Sequence, residues 1–152
     1  DAYIRLINDA LAERPVGMTV ALHMCRGNLK GAWMAEGGYE PIAEQLFCGL
    51  EVDAYFMEYN TPRAGDFGPL HHMPNDKVVV LGLISSKTPE LKPKDEIKRR
   101  INGAAKLVPL DRLALSPQCG FSSGDCGGQV VTADDTRCKL ELVLDVARDV
   151  WD

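Results

Sequence analysis

The chain has 152 residues, the size of a single domain, since domains commonly run to about 100 to 150 residues. With 45% apolar and 26% charged residues it can bury a real core, which excludes both a disordered tail and a small disulfide-stapled scaffold. Seventeen Lys plus Arg against 22 Asp plus Glu leave a net charge of −5, and no basic block is longer than Lys98-Arg99-Arg100, which argues against a nucleic-acid platform. The longest apolar run, residues 78–84, falls far short of the about 20 residues that a membrane helix needs. No basic stretch followed by an apolar one opens the chain, so no secretory signal is expected. There is no initiator Met either, and the chain is expected to begin inside a longer reading frame or after processing. Five cysteines, Cys25, Cys48, Cys119, Cys126 and Cys138, are odd in number and scattered. That favours a reduced, cytoplasmic protein using some of them for metal or catalysis over a disulfide framework.

Residues 2–13 carry Tyr3, Ile4, Ile7, Ala10 and Leu11 at helical spacing, and Pro15 with Gly17 ends the pattern. Residues 18–22 read as a buried strand. After Gly37-Gly38, residues 39–50 place Ile42, Leu46 and Leu50 on one helical face, with Pro41 suited to a first turn. Residues 52–59 are the next strand, and residues 60–75, rich in Pro, Gly and Asp, read as a long surface connection. Residues 78–84 are the clearest buried strand. Ile97, Ile101, Ala104, Ala105 and Val108 mark one face of a helix over 92–108, residues 113–115 form a short strand, and a glycine-rich loop leads to a last helix carrying Leu140, Val143, Leu144, Ala147, Val150 and Trp151.

Strands that are apolar nearly throughout, alternating with helices or loops, belong to a parallel sheet covered by helices. No glycine-rich phosphate motif follows the first strand, so nucleotide-binding versions of this architecture lose support. Polar residues instead collect just after each strand: His23 and Cys25, then Glu58, then Ser85-Ser86-Lys87, then Cys119. The expected fold is therefore α/β, four βα units with parallel strands forming half of a TIM (β/α)8 barrel, which the resemblance described below implies is the C-terminal half; active-site groups of that fold sit at the C-terminal ends of the strands. Such a half cannot close, so the strands at 18–22 and 113–115 would be open edges inviting another chain or the missing half.

In extended backbone residues i and i+2 share a side, so His23 and Cys25 can reach one ion. Cys119 and Glu58 end two further strands, and zinc accepts imidazole, thiolate and carboxylate alike. The spacing matches no compact finger pattern. On residues alone, Cys25 and Cys119 can equally be ordinary buried thiols, His23 a hydrogen-bonded core residue and Glu58 a solvated carboxylate. Asn28, Arg63, Asp66, Ser85, Ser86 and Gln118 lie near strand ends or loop starts as substrate-binding candidates, each with an ordinary loop role as the alternative. Trp33 can stack on a flat donor or cover the barrel mouth. His71-His72 reads as a loop pair, because neighbouring residues seldom turn both rings to one ion.

The segments His23-Met24-Cys25-Arg26-Gly27-Asn28, Phe56-Met57-Glu58-Tyr59, residues 79–88 and Leu115-Ser116-Pro117-Gln118-Cys119-Gly120-Phe121 together resemble the C-terminal catalytic barrel of the cobalamin-independent methionine synthase family. Its short, single-barrel relatives are the closer match. The resemblance spans nearly the whole chain and implies that His23, Cys25, Glu58 and Cys119 are zinc (Zn2+) ligands and the catalytic centre, in one domain over residues 1–152 that lacks its first half. It further implies a methyltransferase of methionine biosynthesis, moving a methyl group from a methyltetrahydrofolate to homocysteine, with those small molecules as partners and neither nucleic acid nor membrane. Cys126, in the unusual stretch 124–128, and Cys138 are expected to be incidental. Two rivals stand beside this: zinc-dependent thiol alkyl transfer between other partners, and a non-catalytic zinc-binding half-barrel.

Overall fold

Ile4, Ile7 and Leu11 line one side of helix α1 (Ala2–Leu11) and pack against the core. Asn8 pins the helix by donating to the Gly49 carbonyl at 2.8 Å and accepting from the Glu51 amide at 3.0 Å. The computed structural model describes residues 2–27, 34–121 and 130–152. Along it follow β1 (Ala21–Met24), α2 (Ala43–Gly49), β2 (Ala54–Glu58), β3 (Val78–Ile84), α3 (Lys94–Ala104), β4 (Leu113–Pro117) and α4 (Ala133–Trp151). The four strands form one parallel sheet in the order β1-β2-β3-β4, the arrangement of half a (β/α)8 barrel. As expected, β1 and β4 are the edges of this sheet among the described residues.

Strand register sorts the side chains into two faces. Leu22, Tyr55, Val79 and Leu113 stand in one row, and Met24, Met57, Leu81 and Leu115 in another. Both rows meet Phe47, Ile97, Ile101, Ala104 and Val146 in a core between sheet and helices. Burial of the fully covered members of this layer stabilises the fold by about 1.5 to 3 kcal/mol per large aliphatic side chain. The opposite face carries Ala21, Ala54 and Val78, then His23, Phe56, Val80 and Ala114, then Glu58, Gly82 and Ser116. Several of these, including His23, Phe56 and Val78, are exposed.

Several boundaries differ from the sequence reading. The first strand lies at Ala21–Met24 rather than 18–22, because Asp53 takes the end of that segment. Its carboxylate accepts the Val20 amide at 2.7 Å and pairs with Arg14 at 2.8 Å, while its own amide donates to the Val20 carbonyl at 2.8 Å. The helix expected over 39–50 splits into a 3-10 turn, Glu40–Ile42, and α2. The third helix is shorter than 92–108, starting after Pro93 and stopping before the turn that leads to Pro109. The connection after β2 is not purely a surface loop: its 3-10 turns Pro62–Ala64 and Gly68–His72 bury Ala64, Pro69 and Leu70.

Gly82 decides how closely the strands approach where they lead into the site. A Cβ there would stand 2.8 Å from the Gln118 Cα and 2.8 Å from the Met57 carbonyl oxygen. Only glycine lets β2 and the chain leaving β4 close on β3 at this level. The register of β3 against β4 slips at the same place, and the Gln118 amide donates to the Ile84 carbonyl at 2.9 Å.

Candidate metal centre

His23 stands in β1 and Cys25 follows it by two residues, so both project to the exposed face of the sheet. Cys119 leaves β4 two residues beyond its end. A ligand nitrogen of His23 and the Sγ atoms of Cys25 and Cys119 all lie within 4.8 Å of one another. Strands spaced about 4.8 Å apart would set β1 and β4 about 14 Å apart across a flat sheet. Donor atoms from both edges meet because the sheet curves as a barrel wall does and the three side chains point to its hollow side. His23 and Cys25 are exposed and Cys119 is half-buried, so none of the three is a core residue.

The turn after β1 is held tightly. The Cys25 Sγ accepts the Gly27 amide at 3.4 Å, and Gly27 takes φ 84°, the left-handed region. Arg26 is buried, donates through its guanidinium to the Gly37 carbonyl, and lies 4.0 Å over the Tyr39 ring. Tyr39 in turn accepts the Glu58 amide at 2.9 Å and donates to the Met24 carbonyl at 2.9 Å, linking the ends of β1 and β2. Burial raises the Tyr39 pKa, with Arg26 opposing.

The Cys119 thiol is pushed up to about 11 by burial, with the Lys87 charge opposing and the neighbouring Cys25 adding to the rise. Such a thiol is protonated at neutral pH unless a metal takes the proton's place. Nitrogen and two sulfurs brought together in this way are a donor set that suits zinc.

Glu58 is not the solvated carboxylate that was one reading of the sequence. It is fully buried at the end of β2, outside the group of three donors. One oxygen accepts the Arg26 amide at 2.8 Å and the other accepts the Arg63 guanidinium, whose Nε stands 2.9 Å away. Its charge is nonetheless close enough to act on the Cys119 thiol.

The remaining candidates divide. Arg63 is tied to Glu58, while Asp66 is exposed with its carboxylate accepting the Gly68 amide at 2.8 Å. Ser85 Oγ accepts the Lys87 amide at 3.1 Å. Ser86 and Gln118 are buried, and Ser86 Oγ and Gln118 Oε1 have no hydrogen-bond partner among the described residues. Asn28, Trp33, Cys126 and the stretch 124–128 lie outside the described residues. Cys138 is a free, half-buried thiol on α4.

Sequence reasoning grouped Lys87 with the polar residues after the third strand without giving it a role, and gave none to Tyr59, Asn60 or Thr61; Lys87 Nζ, the Tyr59 hydroxyl, Asn60 Oδ1 and Thr61 Oγ1 are buried without a hydrogen-bond partner among the described residues. The signal for Lys87 was a cation placed three residues past the most apolar strand of the chain. The His71 and His72 rings, read from the sequence as a loop pair, lie with centroids 3.7 Å apart and planes tilted by 40°, and their donor atoms gather with Glu40 within 4.8 Å. The 3-10 turn that carries them brings the rings together, and His71 Nδ1 bonds the Gly68 carbonyl at 2.6 Å.

Residues 5–149 match the family model described as the catalytic domain of cobalamin-independent synthase. The uncharacterized proteins YxjH and YxjG of Bacillus subtilis (strain 168) are each 47% identical over 150 residues, 98% of this chain but only 40% and 39% of their own lengths. The chain thus spans about two fifths of these curated relatives. A crystal structure of a candidate vitamin-B12 independent methionine synthase from Listeria monocytogenes superposes with a TM-score of 0.77 at 37% identity, over 100% of this chain and 41% of that one. The B12-independent methionine synthase of Shewanella sp. W3-18-1, in complex with selenomethionine, shares the fold at a TM-score of 0.75 and 20% identity, over 97% of this chain and 42% of that one. The chain belongs to the cobalamin-independent methionine synthase family, within its catalytic domain.

Proposed function

We propose that this chain carries the zinc-binding half of a methyltransferase that moves a methyl group onto a thiol, with homocysteine as acceptor and a methyltetrahydrofolate as donor. The convergence of His23, Cys25 and Cys119 from opposite edges of the sheet carries the reading. Zinc bound there would supply a thiolate at neutral pH, where a free thiol with a pKa of about 8.5 is mostly protonated. His23 fixes one donor position from a paired strand, and the tight turn at Gly27 fixes Cys25 beside it.

Glu58 is the fourth ligand in this reading. One Glu58 oxygen accepts the Arg26 amide and the other the Arg63 guanidinium, so Glu58 would be the ligand whose hold on the zinc competes with an existing ion pair. Ser86 and Gln118 are the substrate-binding residues best supported by burial; Arg63 acts through Glu58, and Ser85 shapes the turn that carries Lys87. Asn28 and Asp66 stay as candidates at the mouth.

Residues 1–152 form a single incomplete domain in this account. A groove of about 390 Å³ opens where β4 has no neighbouring strand among the described residues, between Leu113, Ala114 and Leu115 and the α4 residues Leu144, Ala147, Arg148 and Trp151. It is where the first strand and helix of a complementary half, or of a second copy, would pack. Among the described residues no helix is long and apolar enough to cross a membrane, and the free thiols suit a cytoplasmic site of action.

The test is methyl transfer by zinc-loaded protein against a panel of thiols and methyl donors, with the chain alone and with the remaining three fifths of a relative supplied. Turnover of homocysteine that Cys119→Ser abolishes supports the reading. Turnover only of other thiols or alkyl donors favours the broader alkyl-transfer chemistry, and zinc binding without turnover in either form favours a non-catalytic half-barrel.

A further inference from the structure

Three buried polar side chains follow the ends of β3 and β4, with Gln118 next to Cys119. Lys87 is 8% exposed, Ser86 2% and Gln118 2%, and Lys87 Nζ, Ser86 Oγ and Gln118 Oε1 find no hydrogen-bond partner among the described residues. An ammonium withdrawn from water without a partner costs several kcal/mol, so a fold retains it where a ligand will complete it. The bond from the Gln118 amide to the Ile84 carbonyl, 2.9 Å long, locks the chain leaving β4 to the chain leaving β3. Lys87 follows that lock by three residues and Cys119 by one.

The segment is also pre-organised. Ser85 Oγ accepts the Lys87 amide at 3.1 Å, Lys92 Nζ donates to the Asn60 carbonyl at 2.6 Å, and Lys139 Nζ reaches across from α4 to the Glu90 carbonyl at 2.6 Å. The Lys87 amide is thus held by Ser85 and the segment that follows it is tied to the chain after β2 and to α4, while the Lys87 ammonium has no partner among the described residues. Gln118 Nε2 stands 4.0 Å from the Cys119 Sγ, so the amide whose oxygen is left unpaired lies beside the thiol.

We propose that Lys87 and Ser86, walled by Gln118, form a subsite for a carboxylate of the substrate bound beside the thiols of Cys25 and Cys119. The inference rests on the thiol-transfer reading above and names what that site recognises. One ammonium and one hydroxyl supply donors for a monoanion, whereas a phosphate group with about −1.5 to −2 charges calls for more cations. The carboxylate can belong to the amino-acid acceptor or to the methyl donor.

Calorimetric titration of the zinc-loaded chain separates these. The ligands are homocysteine, the aminopropanethiol that is homocysteine without its carboxylate, and methyltetrahydrofolate, which has carboxylates and no thiol. Lys87→Met should weaken one carboxylate ligand by about tenfold or more, the worth of a charge-assisted hydrogen bond, and leave the aminopropanethiol unchanged. Loss of homocysteine affinity assigns the subsite to the acceptor, and loss of folate affinity to the donor. Ser86→Ala gives a milder version of the same pattern and serves if Lys87→Met does not fold. If neither thiol binds while folate binding depends on Lys87, the thiol-transfer reading fails and the subsite stands. Equal weakening of both thiols, or of zinc itself, would make Lys87 a counter-charge for the cysteines and overturn the proposal, as would carboxylate binding indifferent to both substitutions or absent.

Discussion

The two faces of the sheet obey opposite rules. Toward the helices, Tyr55, Met57, Val79, Leu81, Ile97 and Ile101 are closed off from water, and the Tyr55 hydroxyl is satisfied by the Leu46 carbonyl at 3.1 Å. Toward the hollow side and the strand ends, Phe56 and Val78 are exposed while Ser86, Lys87 and Gln118 are buried with polar atoms unpaired. A layer closed off from water, with apolar side chains packed against one another, holds the fold together. A layer that exposes apolar side chains and buries unpartnered polar ones has given up stability for chemistry, and that is where the cysteines converge.

The contrast predicts that stability and metal binding separate by mutation. Ile101→Ala, in the helix layer, should lower unfolding free energy by about 2 to 5 kcal/mol, read by denaturant titration, and leave zinc stoichiometry in the folded protein unchanged. Gly82→Ala touches both layers: its Cβ meets backbone on two sides, so a loss of about 1 to 3 kcal/mol should come together with weaker zinc binding. Zinc retention at wild-type affinity in Gly82→Ala would show that the close approach at this level does not position the site.

Cys119→Ser should lower stability little and remove tight zinc binding, whereas Cys138→Ser and Cys126→Ser should keep it. Equal zinc loss in all three would mean that the wrong cysteines have been chosen. The smallest effect is in pH dependence. Burial raises the Cys119 pKa to about 11, above the about 8.5 of an unfolded thiol. Between these values the unfolded chain releases the proton and the folded chain keeps it, so in chelator-treated protein this group favours unfolding progressively as pH rises from about 8.5 toward 11. Alkylation of Cys119 should follow the same window, slow at neutral pH and rising toward pH 11, as mass spectrometry of the labelled peptide would show.

Much of the fold was legible because its signals are local. Residues 78–84 form a run that only a buried strand accommodates, and β3 matches it residue for residue. The start of β1 was not legible, since it depends on Asp53, more than thirty residues away, capturing the Val20 amide. The i, i+2 relation of His23 and Cys25 could be read from extended backbone, but their approach to Cys119 required sheet curvature, which no single segment encodes. The Glu58–Arg63 pair was missed for the reverse reason: both residues were picked out, yet whether a carboxylate faces a cation or an ion depends on how the turn Pro62–Ala64 folds back. Lys87 was read only as one of the polar residues after the third strand, because a lysine in a loop is usually solvated, and only the packing shows this one to be buried.

The measurement closest to the central claim is X-ray absorption at the zinc edge on the zinc-loaded protein. One zinc per chain with two sulfur ligands at about 2.3 Å and nitrogen or oxygen ligands at about 2.0 to 2.2 Å, falling to one sulfur in Cys119→Ser, is the predicted result. A zinc shell without sulfur, or one unaltered in Cys119→Ser, would contradict it.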